Sequence, residues 1–247
     1  NEAPFAYYDN TTGRLTGESV EVTRHVLKQV GVSRIEGVIT EFASLIPGLK
    51  ARRFDIIAAG MYINPRRCEQ ISFSEPISCV DQGFMVEAGN PFDLHSYEDV
   101  ARHPTARFGV IAGGVELGFA RAVGVPDERL SIFPDVPSLI AGLQADRVDA
   151  VAATVPTHKD ILAKAGDPGL QIAQPFTQPK FDGRTAGLCS ALGFRQKDAA
   201  FLRKFNRSLE AFIGSEQHLG IVRPFGFGEQ NMPGGHTTEQ LCRPMSP

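Results

Sequence analysis

The strongest constraint on the fold is an internal repeat: the segment from Ser44 to Gly60 returns as the segment from Ser138 to Thr154, with ten of seventeen positions identical. In each copy Leu, Ile and Leu recur at helical spacing, a polar break follows, and an Asp opens a short apolar run of strand length. Each copy reads as helix, turn and buried strand. Two such copies predict two lobes of similar build, and 247 residues are enough for each lobe to bury its own core.

Further helices fit the scheme. The stretch from Glu18 to Val30 has a polar start, apolar residues Val22, Val26, Leu27 and Val30, and a stop at Gly31. Residues 197–213 carry Phe201, Leu202, Phe205, Leu209 and Phe212 along one stripe, which reads as packing. Strands alternating with amphipathic helices predict an α/β protein whose lobes are mostly parallel sheets flanked by helices. Inter-lobe crossings are expected at Val86 to Pro91 and around Thr185-Ala186-Gly187, where small residues accept backbone rotation. That division gives a discontinuous lobe 1 of residues 1–87 and 187–247 and a lobe 2 of residues 88–186.

Composition excludes several functions. A formal net charge of -3 with scattered Lys and Arg leaves no footprint for nucleic acid. No apolar run reaches membrane-span length, and nothing at the start resembles an export signal. Cys68, Cys79, Cys189 and Cys242 form no CxxC pair, so no metal is expected; one or two disulfides in any of three complete pairings, or free buried thiols, all remain open. There is no HExxH, P-loop or GxSxG motif, and the six His are dispersed, so neither catalysis nor a cofactor is expected.

Three landmarks resemble the polar-amino-acid class of periplasmic solute-binding proteins: Pro4-Phe5-Ala6-Tyr7 followed by Gly13 to Gly17; Pro65-Arg66-Arg67 followed by Ile71-Ser72-Phe73-Ser74-Glu75-Pro76; and Gly142 to Ala150. Together, in order, they span most of the chain. The resemblance implies a two-lobed (type II) binding protein that closes on a small molecule, works as a monomer with the permease subunits of an ABC importer, and lies in the periplasm, or outside a Gram-positive cell on a membrane tether. Members of the family have a strand ahead of the Pro-Phe motif, so the first strand is expected to precede this sequence.

The resemblance also suggests a site, and local chemistry can be set beside it. It places Arg67 on a ligand carboxylate. Asn64 is a good N-cap and Pro65 suits the first helical position, so Arg67 is expected in a first turn whose N–H groups also face the anion. From the other lobe, Gly114, Val115 and Glu116 follow an apolar run and open a helix; with Val115 where the family has a hydroxyl, backbone amides are expected to bind. Thr154 stands where amino-acid receptors of the family carry the Asp that receives an ammonium, which disfavours an ordinary amino acid.

Phe5, Phe42 and Tyr62 occupy positions that line the family's pocket, beside Gly60, and aromatic faces suit a soft cation. These rings are expected on lobe 1 with Arg67. Glu2, aimed inward by the family pattern, suits a cation with N–H groups to donate. Within the family, Asn1-Glu2-x-Pro4-Phe5, Phe42, Tyr62, Pro65-x-Arg67-Cys68, Phe225-Gly226-Phe227 and Thr237-Thr238-Glu239-x-Leu241-Cys242 are similar to receptors of ectoine and hydroxyectoine. The expected ligand is a zwitterionic compatible solute of that kind; betaine, proline betaine or a polar amino acid is the alternative, and a dehydratase on the same fold is a more distant one.

Overall fold

The computed structural model describes residues 2–181, 184–185 and 188–243. The chain forms two compact units: unit 1 comprises Asn1–Thr40, Ser44–Val80 and Gly187–Pro247, and unit 2 comprises Glu41–Ala43 and Asp81–Ala186.

Unit 2 is built on a five-stranded sheet in the order Leu170–Ile172, Gln82–Glu87, Ala150–Thr154, Phe108–Ile111, Leu130–Phe133. The last three are mutually parallel, joined through the helices Glu116–Ala122 and Val136–Gln144 as crossovers require. The first two pair antiparallel, Gln82–Glu87 against both Leu170–Ile172 and Ala150–Thr154. The sheet is thus mixed rather than mostly parallel. Gln82–Glu87 also corrects the first boundary: it is a strand of unit 2, so the crossing falls at Val80–Asp81 and not at residues 86–91. Of the second crossing, Ala186 and Gly187 lie outside the described residues.

In unit 1 the strand Gly193–Phe194 lies between Ile56–Ile57 and Ser72–Phe73, antiparallel to both. Ser78–Cys79 pairs antiparallel with Cys189–Ser190, and Tyr7–Asp9 with Arg14–Thr16. Two disulfides, among the pairings the sequence left open, lie in this unit. Cys79–Cys189 links paired strands, and Cys68–Cys242 links the helices Pro65–Cys68 and Thr238–Cys242. The amphipathic helices are Glu18–Gln29 and Ala199–Phe212, the latter burying Phe205, Leu209 and Phe212.

The two copies of the repeat fall one in each unit, as the helices Leu45–Lys50 and Val136–Gln144 with their following strands. Their turns match bond for bond. In the first, the N–H groups of Ala51, Arg52 and Arg53 donate to the carbonyls of Pro47, Leu49 and Gly48; in the second, those of Ala145, Asp146 and Arg147 donate to Ala141, Leu143 and Gly142. Each turn puts a non-glycine residue in the left-handed region, Arg52 at φ 59° and Asp146 at φ 52°. Leu139, Ile140, Leu143, Val148 and Val151 of the second copy pack in the unit 2 core with Met85, Ile111 and Phe133.

Burial shifts three ionisable groups. The Glu18 carboxyl, wholly enclosed in unit 1, is raised to about 7 by loss of solvent, against smaller opposing effects of the Ser19 and Ser78 hydroxyls. Burial also lowers His218 in unit 1 and His158 in unit 2, each to about 4.

Two outcomes follow. Because a left-handed conformation costs an L-residue about 1–2 kcal/mol, partly offset by glycine's greater freedom when unfolded, Arg52→Gly and Asp146→Gly should each stabilise the protein by about 0.5–1 kcal/mol in urea unfolding. The Glu18 pKa is raised on folding, so its contribution is fully present below about 4.5 and is lost as pH rises through about 7. The histidines act in the opposite sense, losing stability as pH falls from about 6.5 toward 4. Glu18→Gln should therefore abolish the alkaline decline of unit 1, gaining on the order of 3 kcal/mol at pH 8, while leaving the acid decline in place; denaturant midpoints measured against pH test both limbs.

Candidate functional site

The candidate residues of unit 1 are placed by the way the N-terminal turn docks on a helix. Phe5 and Ala6 donate their N–H groups to the Glu2 carbonyl at 2.9 and 2.8 Å, closing the turn. The carbonyls of Pro4 and Phe5 then accept the N–H groups of Glu18 and Ser19 at 2.9 and 3.0 Å, so the turn satisfies two orphan amides of the helix Glu18–Gln29. Gly17 is required there: at φ 127°, a Cβ would lie 2.3 Å from the Phe5 carbonyl oxygen. Phe5 is consequently buried, edge-on to Phe227 with ring centroids 5.3 Å apart. That contact gives the Phe225-Gly226-Phe227 signature a physical role.

Gly60 closes over Phe5. Its φ is +63°, and a Cβ would meet the ring at 2.6 Å, so only glycine allows this approach. The Gly60 N–H donates to Ser19 Oγ at 3.2 Å, and Ser19 Oγ in turn donates to Glu18 Oε2 at 2.7 Å. Glu18 Oε1 is buried without a hydrogen-bond partner.

Just beyond, Ile63 N–H donates to the Cys189 carbonyl and Ala191 N–H to the Met61 carbonyl, which seats Tyr62 as a bridge partner of Ser190. The buried Arg67 guanidinium donates from Nη1 to the Tyr62 carbonyl at 2.7 Å. Asn64 caps the helix Pro65–Cys68 as expected, with Oδ1 accepting the Arg67 N–H at 2.9 Å. The expectation that this turn offers its amides to an anion needs correction: the N–H groups of Arg67 and Cys68 are directed at Asn64.

In unit 2, Gly114 N–H donates to the Ile111 carbonyl at 3.1 Å, which corrects the expectation that this amide awaits an anion. A Cβ at Gly114 would lie 2.3 Å from Glu116 Oε2, so the glycine makes room for a carboxylate that folds back over the turn. Glu116 is buried and its Oε1 accepts from Gln82 Nε2 at 2.9 Å. Gln82 is itself held by Gln178, which accepts from its N–H and donates to its carbonyl, both at 2.9 Å. Val115 sits at the N-cap position with no capping side chain, and Thr154 caps the helix Val155–Ala165, its Oγ1 accepting from Thr157 N–H at 3.1 Å. Phe42 belongs to unit 2, half-buried against the core around Leu139, which corrects the expectation that all three rings sit on lobe 1.

Unit 1 therefore holds Glu2 and Phe5 on the N-terminal turn and Gly60, Tyr62 and Arg67 on the segment whose Gly60 packs against the Phe5 ring, and unit 2 holds Phe42, Gly114, Val115, Glu116 and Thr154. Sequence reasoning missed Glu18, Ser19, Gln82 and Gln178. An acid in a first turn reads as an ordinary dipole partner. Glu18 is buried where the N-terminal turn docks on its helix, with Ser78 near its carboxyl, and nothing in its local pattern announces that.

Comparison with known proteins agrees with this architecture. The profile of "Bacterial extracellular solute-binding proteins, family 3" matches residues 1–228. A "Probable amino-acid ABC transporter periplasmic-binding protein" of Sinorhizobium fredii is 37% identical over 246 residues, covering 98% of this chain and 80% of that relative. The crystal structure of EhuB in complex with hydroxyectoine superposes with a TM-score of 0.89 at 33% identity, covering 98% of this chain and 91% of that one. An ancestral arginine-binding protein bound to arginine shares the fold, with a TM-score of 0.79 at 24% identity over 92% of this chain and 94% of that one. By the extent of the profile and of these alignments, the chain belongs to the bacterial extracellular solute-binding proteins, family 3.

Proposed function

We propose that this protein is the receptor of an ABC importer for a small zwitterionic compatible solute, ectoine or hydroxyectoine. The observation that carries the reading is the Arg67 guanidinium, buried and oriented by the Tyr62 carbonyl, on the segment whose Gly60 packs against the Phe5 ring. A planar fork held in this way suits bidentate capture of a carboxylate. Aromatic faces nearby suit a delocalised cation more than a compact ammonium. Glu2 adds an acceptor for N–H groups, which ectoine has and betaines lack.

The relation to EhuB, whose structure was solved with hydroxyectoine, supports the same ligand class. From unit 2, Phe42 is proposed as a further ring, and Gly114, Val115, Glu116 and Thr154 as further contacts. Thr154, committed to its helix cap, supplies no carboxylate for an amino-acid ammonium. The proposed partners are the permease subunits of the importer, met on the outer side of the cytoplasmic membrane, and the proposed role is transport without catalysis. Among the described residues no helix is long and apolar enough to cross a membrane.

Titration calorimetry with ectoine, hydroxyectoine, glycine betaine, proline betaine, arginine and glutamine tests the ligand class. The expected ranking puts the two ectoines first. Tight binding of arginine or glutamine with no heat from ectoine would sink it. Arg67→Ala should weaken ectoine binding by about 100-fold or more through loss of a buried charge partner. Tyr62→Ala and Phe42→Ala should each cost about 2- to 30-fold, the range of a single cation–π contact.

A further inference from the structure

We infer that Glu18 is a positioning residue: its carboxyl fixes the Ser19 hydroxyl as the acceptor for the Gly60 amide, and so locks the backbone leading into Tyr62 against the Phe5 ring. The geometry is a relay. Ser19 has one hydroxyl proton, and with Glu18 Oε2 at 2.7 Å that proton is directed at the carboxylate, which leaves the Ser19 lone pairs for the Gly60 N–H at 3.2 Å. A hydroxyl that donates to a charged acceptor becomes a better acceptor itself. Gly60 has little freedom otherwise, since its left-handed backbone lies directly on Phe5.

The relay is titratable, because burial raises Glu18 to about 7 and its Oε1 has no partner to compensate the charge. The groups that face the carboxyl are hydroxyls: Ser19 on its own helix and Ser78, which is 3.0 Å from the Ser190 hydroxyl on the paired strand. Charged groups of the neighbouring elements are engaged elsewhere. Glu21 accepts from Thr16 and pairs with Arg24, Lys204 donates to the Val30 carbonyl at the far end of the helix, and His25 and His218 both pack on the Phe212 ring. Above its midpoint the ionised carboxylate orders Gly60. Below it, the neutral acid can donate to Ser78 and release the Ser19 proton to other orientations. Ionisation thus costs unit 1 stability while ordering the segment that carries Tyr62.

The consequence for ligand binding rests on the proposed reading of Phe5, Gly60 and Tyr62; the relay itself does not. The Gly60 amide resonance of isotope-labelled, ligand-free protein is followed from about pH 5.5 to about pH 8.5. In the wild type it should titrate with a midpoint near 7, and in Glu18→Gln it should stay flat, while Ser19→Ala should exchange that amide with solvent about 10-fold faster. Glu18→Asp keeps a titratable acid but withdraws it from Ser19, so the Gly60 titration should shrink while the pH dependence of unfolding persists. A flat wild-type Gly60 signal, the same titration in Glu18→Gln, or unchanged exchange in Ser19→Ala overturns the inference. Calorimetry with ectoine then reads the consequence: wild type should bind about three- to tenfold more tightly at pH 8 than at pH 6, and Glu18→Gln equally at both. No ectoine binding by any form at either pH overturns the ligand reading, and the Gly60 data still decide the relay.

Discussion

Apart from the hairpin Tyr7–Asp9 and Arg14–Thr16, the described strands of unit 1 find their partners only when the chain returns to it. Ile56–Ile57 and Ser72–Phe73 do not pair with each other; each pairs with Gly193–Phe194, which arrives after the whole of unit 2 has been traversed. The same return supplies Cys189, Ser190 and Ala191 to the segment that carries Met61, Tyr62 and Ile63. The placement of Tyr62, and through its carbonyl of the Arg67 side chain, therefore depends on residues more than a hundred positions away. Closing so long a loop costs entropy that grows only slowly with length. The Cys79–Cys189 disulfide, spanning 110 residues within this pairing, removes part of that cost by restricting the unfolded chain.

The two units hold their polar candidates in different ways. In unit 1 the backbone is pressed close by glycines, Gly17 against the Phe5 carbonyl and Gly60 against the Phe5 ring, and the side chains that matter are held by carbonyls and hydroxyls. In unit 2 the corresponding turn is occupied by the protein's own acid. Glu116 lies over Gly114 and is held by Gln82, so that corner presents a carboxylate where the sequence suggested only amide donors.

Much of the fold was legible before any coordinates. The repeat predicted two similar αβ units, and its copies share their turn hydrogen bonds and even their left-handed residue. Asn64-Pro65 announced a capped helix start, because an Asx acceptor and a fixed φ are local properties. Less could be read of the site. Phe42 lies within the sequence span of lobe 1 yet belongs to unit 2, and Gln82–Glu87 was assigned to the wrong side of the crossing, because chain order does not say which sheet a strand joins. Cysteine pairing was open for the same reason.

The sequence by itself determined what short-range physics controls: helix periodicity, caps, turn geometry, the apolar runs that must be buried, and the motifs that mark the family. Tertiary structure alone decided which strands meet, which cysteines bond, and that an unremarkable first-turn acid, Glu18, is sealed beneath the N-terminal turn with its pKa raised to about 7. The reason is one of range. Propensity and capping act over a few residues, whereas burial and hydrogen bonding between distant segments depend on the packed whole.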